Sequence, residues 1–147
     1  MAIFLGGTTD SNKLQDYEEG TFTVSLSVGS NSNTTGHYVK IGDIVLVSGE
    51  ETCDNISSGS TVQMNGLPFT ALATNGYHNY LGAIRGYNWG NVRNDTRATN
   101  CCIHGSGTNV QFGTLADHGE GWEMLAYSDA SSTNNALRWT CVYRTNT

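Results

Sequence analysis

The chain predicts an all-β fold, an antiparallel β-sandwich of jelly-roll-like type, from three observations. Its apolar positions are largely Val, Ile, Leu, Phe, Tyr and Trp, which suit a pleated, half-buried surface. Gly, Ser, Thr and Asn make up well over a third of the chain; Gly and Asn supply positive φ in tight turns, and Ser and Thr satisfy turn backbone groups locally. Several stretches alternate apolar and polar residues with the period of a strand. At 147 residues the chain has the length of one core. Residues 21–147 are therefore read as a single β-sandwich domain, and residues 1–20, which show no clear period, as an extended lead-in and assembly segment.

The first strand spans Thr21 to Val28, with Phe22, Val24, Leu26 and Val28 on one face and Thr21, Thr23, Ser25 and Ser27 on the other. The polar run Gly29 to Gly36 reads as a loop. Tyr38 to Ile41, a turn at Gly42-Asp43, and Ile44 to Val47 form a hairpin. A strand opening at Thr61 to Met64 ends before Pro68, which has no N–H for a ladder, and Leu67 and Phe69 anchor that turn. Further strands are expected over Tyr80 to Tyr87, Asn100 to His104, Asn109 to Thr114, Trp122 to Tyr127 and Ala136 to Arg144. The last alternates too, setting Leu137, Trp139, Cys141 and Tyr143 against Arg138, Thr140, Val142 and Arg144. About eight short strands at such spacings suit a sandwich or barrel.

Charge narrows the function. Only 14% of residues are charged and the net charge is −6 with seven Lys plus Arg, which argues against a nucleic-acid partner because counterion release needs clustered cations. No apolar run approaches the roughly 18 residues that cross a bilayer, so no membrane insertion is expected. The opening Met1 to Leu5 lacks a basic region and is too short for a signal sequence. Cys53, Cys101, Cys102 and Cys141 read as free, partly buried thiols, since adjacent cysteines such as Cys101 and Cys102 bridge each other only with strain. His104 follows Cys102 by two positions, but no second such pair completes a zinc site; neither metal nor cofactor is expected.

Three motifs then stand out. Asn12-Lys13-Leu14-Gln15-Asp16-Tyr17-Glu18-Glu19-Gly20-Thr21-Phe22-Thr23 resembles the L-x-D-Y-E-E-G-T-[FW]-T signature near the start of C-terminal domains of bacteriophage tail fibres and related receptor-binding proteins. His37 to Gly49 is similar to that family's Y-x-K-I-G-x-x-V-x-x-S-G strand pair, and Asn65-Gly66-Leu67-Pro68-Phe69-Thr70 to its GLPF turn. These cover about the first half of the chain; the second half matches no motif. Where the family has Pro soon after GTFT, this chain has Val24, which leaves room for a longer first strand. The resemblance implies a β-sandwich, a homotrimer at the distal end of a fibre and attachment of the virion to a host receptor. It also implies other tail fibre or baseplate proteins as partners and a place on the virion after assembly in the host cytoplasm. A first half that supplies scaffold and a second half that carries receptor loops would fit this division.

Candidate binding residues cluster in the second half. Tyr77, His78, Asn79 and Tyr80, followed by the run from Arg85 to Arg97 with Tyr87, Trp89, Arg93, Asp95 and Arg97, interleave aromatics with amides and charges in what reads as a loop. That set suits a sugar: a flat ring stacks on the C–H side of a pyranose while Asn, Asp and Arg satisfy its hydroxyls, and Arg can grip a carboxylate with both nitrogens. The bland reading makes Tyr87 and Trp89 core or interface residues. Asp117 and His118, with Glu120, form a second candidate, against which stands solvated turn decoration. Catalytic templates are missing: there is no G-x-S-x-G, H-E-x-x-H, Walker or dinucleotide glycine motif. Asp95, Asp117, Glu120 and Glu123 have no spacing that forces two carboxylates to face each other. The expectation is a non-enzymatic domain binding a host cell-surface glycan or other receptor. The alternatives are a structural trimerisation or capping domain and, behind it, a polysaccharide depolymerase.

Overall fold

In the computed structural model, which describes residues 3–4, 13–14, 16–55, 61–72, 80–87, 89, 100–103, 107–115, 122–130 and 134–146, alternation decides where each strand turns its side chains. The strands are β1 (Ile3–Phe4), β2 (Lys13–Leu14), β3 (Tyr17–Thr23), β4 (Ser25–Leu26), β5 (Ser30–Asn33), β6 (Thr35–Ile41) and β7 (Ile44–Asp54). They continue with β8 (Gln63–Asn65), β9 (Tyr80–Tyr87), β10 (Asn100–Ile103), β11 (Asn109–Leu115), β12 (Trp122–Met124) and β13 (Asn135–Arg144). Tyr127–Asp129 is a short 3-10 turn, and no α-helix occurs among the described residues.

Every pairing is antiparallel. Among the described residues β1 pairs only with β2; the other strands run in the order β3-β6-β7-β13-β9-β10-β11-β8-β4, with β12 beside β11 and β5 beside the far half of β7. β3 and β4 are one stretch of chain broken at Val24, whose N–H donates to the Thr34 carbonyl at 2.8 Å. The two ends of the strand order therefore meet in the same segment, and the sheet folds over into a β-sandwich closed at that corner. Val24, Leu26 and Val28 are buried while Ser25 and Ser27 stay exposed, so the expected alternation holds through the break.

Four sequence expectations are corrected in detail. The first sheet strand begins at Tyr17, inside the segment read as a lead-in, because Tyr17 to Gly20 ladder onto Ile41 to Tyr38. The polar run after Gly29 is not a loop throughout: Ser30–Asn33 forms β5, with an irregularity between Asn31 and Asn33. Its polar side chains find local partners, Asn31 Nδ2 donating to the Leu26 carbonyl at 3.2 Å and Ser32 Oγ lying 2.6 Å from Thr52 Oγ1. β7 extends past Val47 to Asp54, since partners on both edges hold its polar half in the ladder. Trp122 to Tyr127 is strand only to Met124.

The inner faces meet in one core. Val45, Val47, Met64, Ile103, Val110, Phe112, Leu137 and Tyr143 are completely buried, each such side chain contributing about 1.5–3 kcal/mol by leaving water. β13 buries Leu137, Trp139, Cys141 and Tyr143 and exposes Arg138, Thr140, Val142 and Arg144, as its alternation predicts. Tyr143 Oη donates to the Phe69 carbonyl at 3.0 Å, which ties β13 to the proline turn. Cys53, Cys101 and Cys141 are buried. Burial pushes the Cys53 thiol up to about 11, while a hydrogen bond from Cys101 holds Cys141 below its ordinary value. Cys101 and Cys141 flank Gly82 in one row across β10, β9 and β13, and the Cys101 sulfur occupies the space over that glycine.

Candidate functional site

β13 is hydrogen-bonded on one edge to β7 and on the other to β9, and these strands present one continuous outer face. In one row Glu50, Arg138 and Arg85 lie side by side; in the next come Thr52, Ala136 and Tyr87. Alternation along β9 sends Ala83, Arg85 and Tyr87 outward and leaves Gly82, Ile84 and Gly86 facing in. Between the rows lies an open pocket of about 270 Å³ lined by Arg85, Tyr87, Ala136 and Arg138. Ala136 is the small residue opposite Tyr87, and its lone methyl leaves the depression unfilled.

Its electrostatics are set by arginines. Arg138 Nη2 lies 2.7 Å from Glu50 Oε1; the bond holds the Glu50 carboxyl below its usual range and the guanidinium above its own. Among the described residues no carboxylate pairs with Arg85. Tyr87 is 61% exposed, the most exposed large apolar side chain among those described.

Of the residues expected from sequence, Tyr87 is at this pocket. Trp89 is not: it is 4% exposed and packs beneath the sheet, its Cδ1 within 3.4 Å of where a side chain on Gly86 would begin. The strand ends at Tyr87, so the two aromatics that would share a face in a continuing strand are placed on opposite sides, and Trp89 takes the bland reading of a core residue. Tyr80 also faces inward, half-buried, with its hydroxyl donating to the Leu72 carbonyl at 3.3 Å and its ring edge-on to Tyr143. Tyr77, His78, Arg93, Asp95, Arg97, Asp117 and His118 lie outside the described residues. Arg85 opens the stretch picked out in the sequence, and Arg85 to Tyr87 belong to β9 rather than to a loop; Ala136 and Arg138 were not singled out as binding residues. Alternation marks Arg85 and Arg138 as outward-facing, but only strand pairing brings them together.

The three motifs converge elsewhere. Tyr38 Oη donates to Glu18 Oε1 at 2.6 Å, the Tyr38 ring meets Phe69 edge-on at 5.3 Å, and Lys40 Nζ sits 5.7 Å over the Phe69 ring. The three motif segments thus brace one another, and the pocket is built from β9 and β13 in the second half of the chain.

A second surface feature shares the outer face. At the other end of the β3-β6-β7-β13 face, Tyr17, Ile41, Ile44, Leu46 and Val142, each 44–50% exposed, form neighbouring rows with Val39. The patch is rimmed by the Arg144–Asp43 ion pair and by Glu19, which accepts from Tyr17 Oη at 2.6 Å.

Comparison of the chain with protein-family models, with curated proteins and with solved structures finds no match.

Proposed function

We propose that the chain is a receptor-binding domain of a bacteriophage tail fibre tip, attaching the virion to a host cell-surface glycan. The observation that carries the reading is Tyr87, an exposed ring beside an open pocket with two arginines on a sheet face held rigid by neighbours on both sides. A ring in that setting offers a stacking platform and the arginines offer donors, the two requirements for holding a pyranose. The resemblance of residues 12–23, 37–49 and 65–70 to tail-fibre domains supports the same reading and supplies its virion setting, with fibre or baseplate proteins as assembly partners.

A single shallow site of this kind binds at about the millimolar level, near −4 kcal/mol, and a fibre compensates by presenting several copies. Tyr87→Ala should therefore lower adsorption to host cells at least tenfold without moving the melting temperature, because the exposed side chain contributes no core packing. Unchanged adsorption by this variant would sink the proposal.

The apolar rows Tyr17-Ile41-Ile44 and Val39-Leu46-Val142 favour a second role alongside the first, trimerisation of the fibre tip. Contiguous apolar residues within a polar rim have the anatomy of a subunit interface, and the occupant proposed is another copy of this chain. Leu46→Glu should convert the trimer into monomer in sedimentation at micromolar concentration; a wild-type monomer under those conditions overturns this role. The third reading, a polysaccharide depolymerase, draws no support from the described residues that line the pocket, Arg85, Tyr87, Ala136 and Arg138.

A further inference from the structure

We infer that the pocket selects saccharides carrying an oxyanion, carboxylate or phosphate, and that Arg85 is the residue that reads it; this rests on the glycan-binding reading above. The argument starts from a charge arrangement that folding alone disfavours. Arg85 and Arg138 are directly opposite each other on β9 and β13, and like charges so placed destabilise a strand pair. The chain has only seven Lys plus Arg against thirteen Asp plus Glu, yet two of the seven stand side by side here. Glu50 neutralises one of them, Arg138, from the strand on the other side. Among the described residues the row reads minus, plus, plus, and an anion seated in the pocket beside Arg85 would balance it.

Spacing defines what fits. Arg85 and Tyr87 are two residues apart on one strand and project from the same face, which sets them about 6.6–6.8 Å apart along the strand, close to the width of one sugar ring. A pyranose stacked on Tyr87 would therefore direct a ring substituent toward the Arg85 guanidinium. The planar fork of a guanidinium matches an oxyanion through two parallel hydrogen bonds. The net charge of −6 repels extended polyanions, so discrimination is local, for one charged substituent on one ring.

The test is an array of uronic-acid, sialylated and phosphorylated glycans, each beside its neutral counterpart made by methyl esterification, desialylation or dephosphorylation. It is probed with the full chain presented multivalently, with Arg85→Gln and with Tyr87→Ala. The expected result is at least a tenfold preference of the wild type for charged members, lost in Arg85→Gln and weakened by added salt, with Tyr87→Ala reducing charged and neutral signals alike. Signal on the carboxylated or on the phosphorylated members distinguishes the two oxyanions. Equal signal on charged and neutral members, or a preference that survives Arg85→Gln, overturns the inference and leaves glycan binding standing. No signal on any glycan overturns both.

Discussion

Replacing Glu51 with Gln is expected to stabilise the folded chain by about 2–3 kcal/mol above pH 7 and to flatten its pH dependence between about 4.5 and 7. Glu51 lies on the half-polar stretch of β7 but is fully buried; Oε2 accepts from Trp139 Nε1 at 2.7 Å, and Oε1 has no partner among the described residues. Burial raises its pKa from 4.5 to about 7, against the opposing effect of the Trp139 hydrogen bond. Between those two values the folded chain holds a proton that the unfolded chain has released, so stability falls as pH rises through the window and levels off above 7. Gln keeps the shape and an oxygen for Trp139 without a charge to desolvate. Urea unfolding of both proteins at pH 5 and pH 8 checks this: the curves should nearly coincide at pH 5 and separate at pH 8. A variant less stable than wild type at pH 8 would show that the carboxylate is needed in its charged form.

Gly82→Ala should be the most damaging small substitution in the sheet, costing about 3 kcal/mol or more and lowering the melting temperature by roughly 10 °C in a chain of this size. A methyl group at Gly82 would overlap the Thr140 carbonyl oxygen and come within 2.7 Å of the Cys101 sulfur and 2.9 Å of the Cys141 Cα. Two of those three atoms are backbone of β13, so relief requires the central pairing to shift rather than a side chain to rotate. Gly42→Ala is the control: Gly42 has φ near +60° in the β6–β7 turn, but nothing lies within 4 Å of the added carbon, and only about 1 kcal/mol is expected from backbone strain. Thermal unfolding of the two variants separates steric overlap from conformational cost; equal losses would refute the packing account of Gly82.

Most of the strand content was legible because it rests on local alternation. β9 falls on the residues expected, and β13 and the β6–β7 hairpin are recovered within a few residues, since their apolar and polar positions take opposite faces without help from distant chain. β5 and the second half of β7 were hidden for a physical reason: Ser, Asn, Gly and Glu have little strand preference of their own, and they are extended here because neighbouring backbone completes their ladder. The site was only half visible. Tyr87 is an aromatic on an outward strand position and could be named from sequence, whereas the pairing of Arg85 with Arg138 depends on which strands become neighbours, across 53 positions of chain. Trp89 misled because alternation stops being a guide where the strand stops.

The place of β13 between β7 and β9 bears on how the domain assembles. β3, β6 and β7 are close in sequence and pair through short connections, so they can form early, but the ladder that joins them to β9 runs through a segment more than 80 residues beyond β7. Closure of such non-local pairings is slow, in the millisecond-to-second range typical of β-rich domains. Until β13 seats, the full length of β7 offers an unpaired edge that accepts a strand reading Asn135–Arg144 from any copy of the chain. Wherever copies of the chain are concentrated, strand exchange between neighbours competes directly with correct folding, and concentrated refolding should yield swapped oligomers that dilute refolding does not.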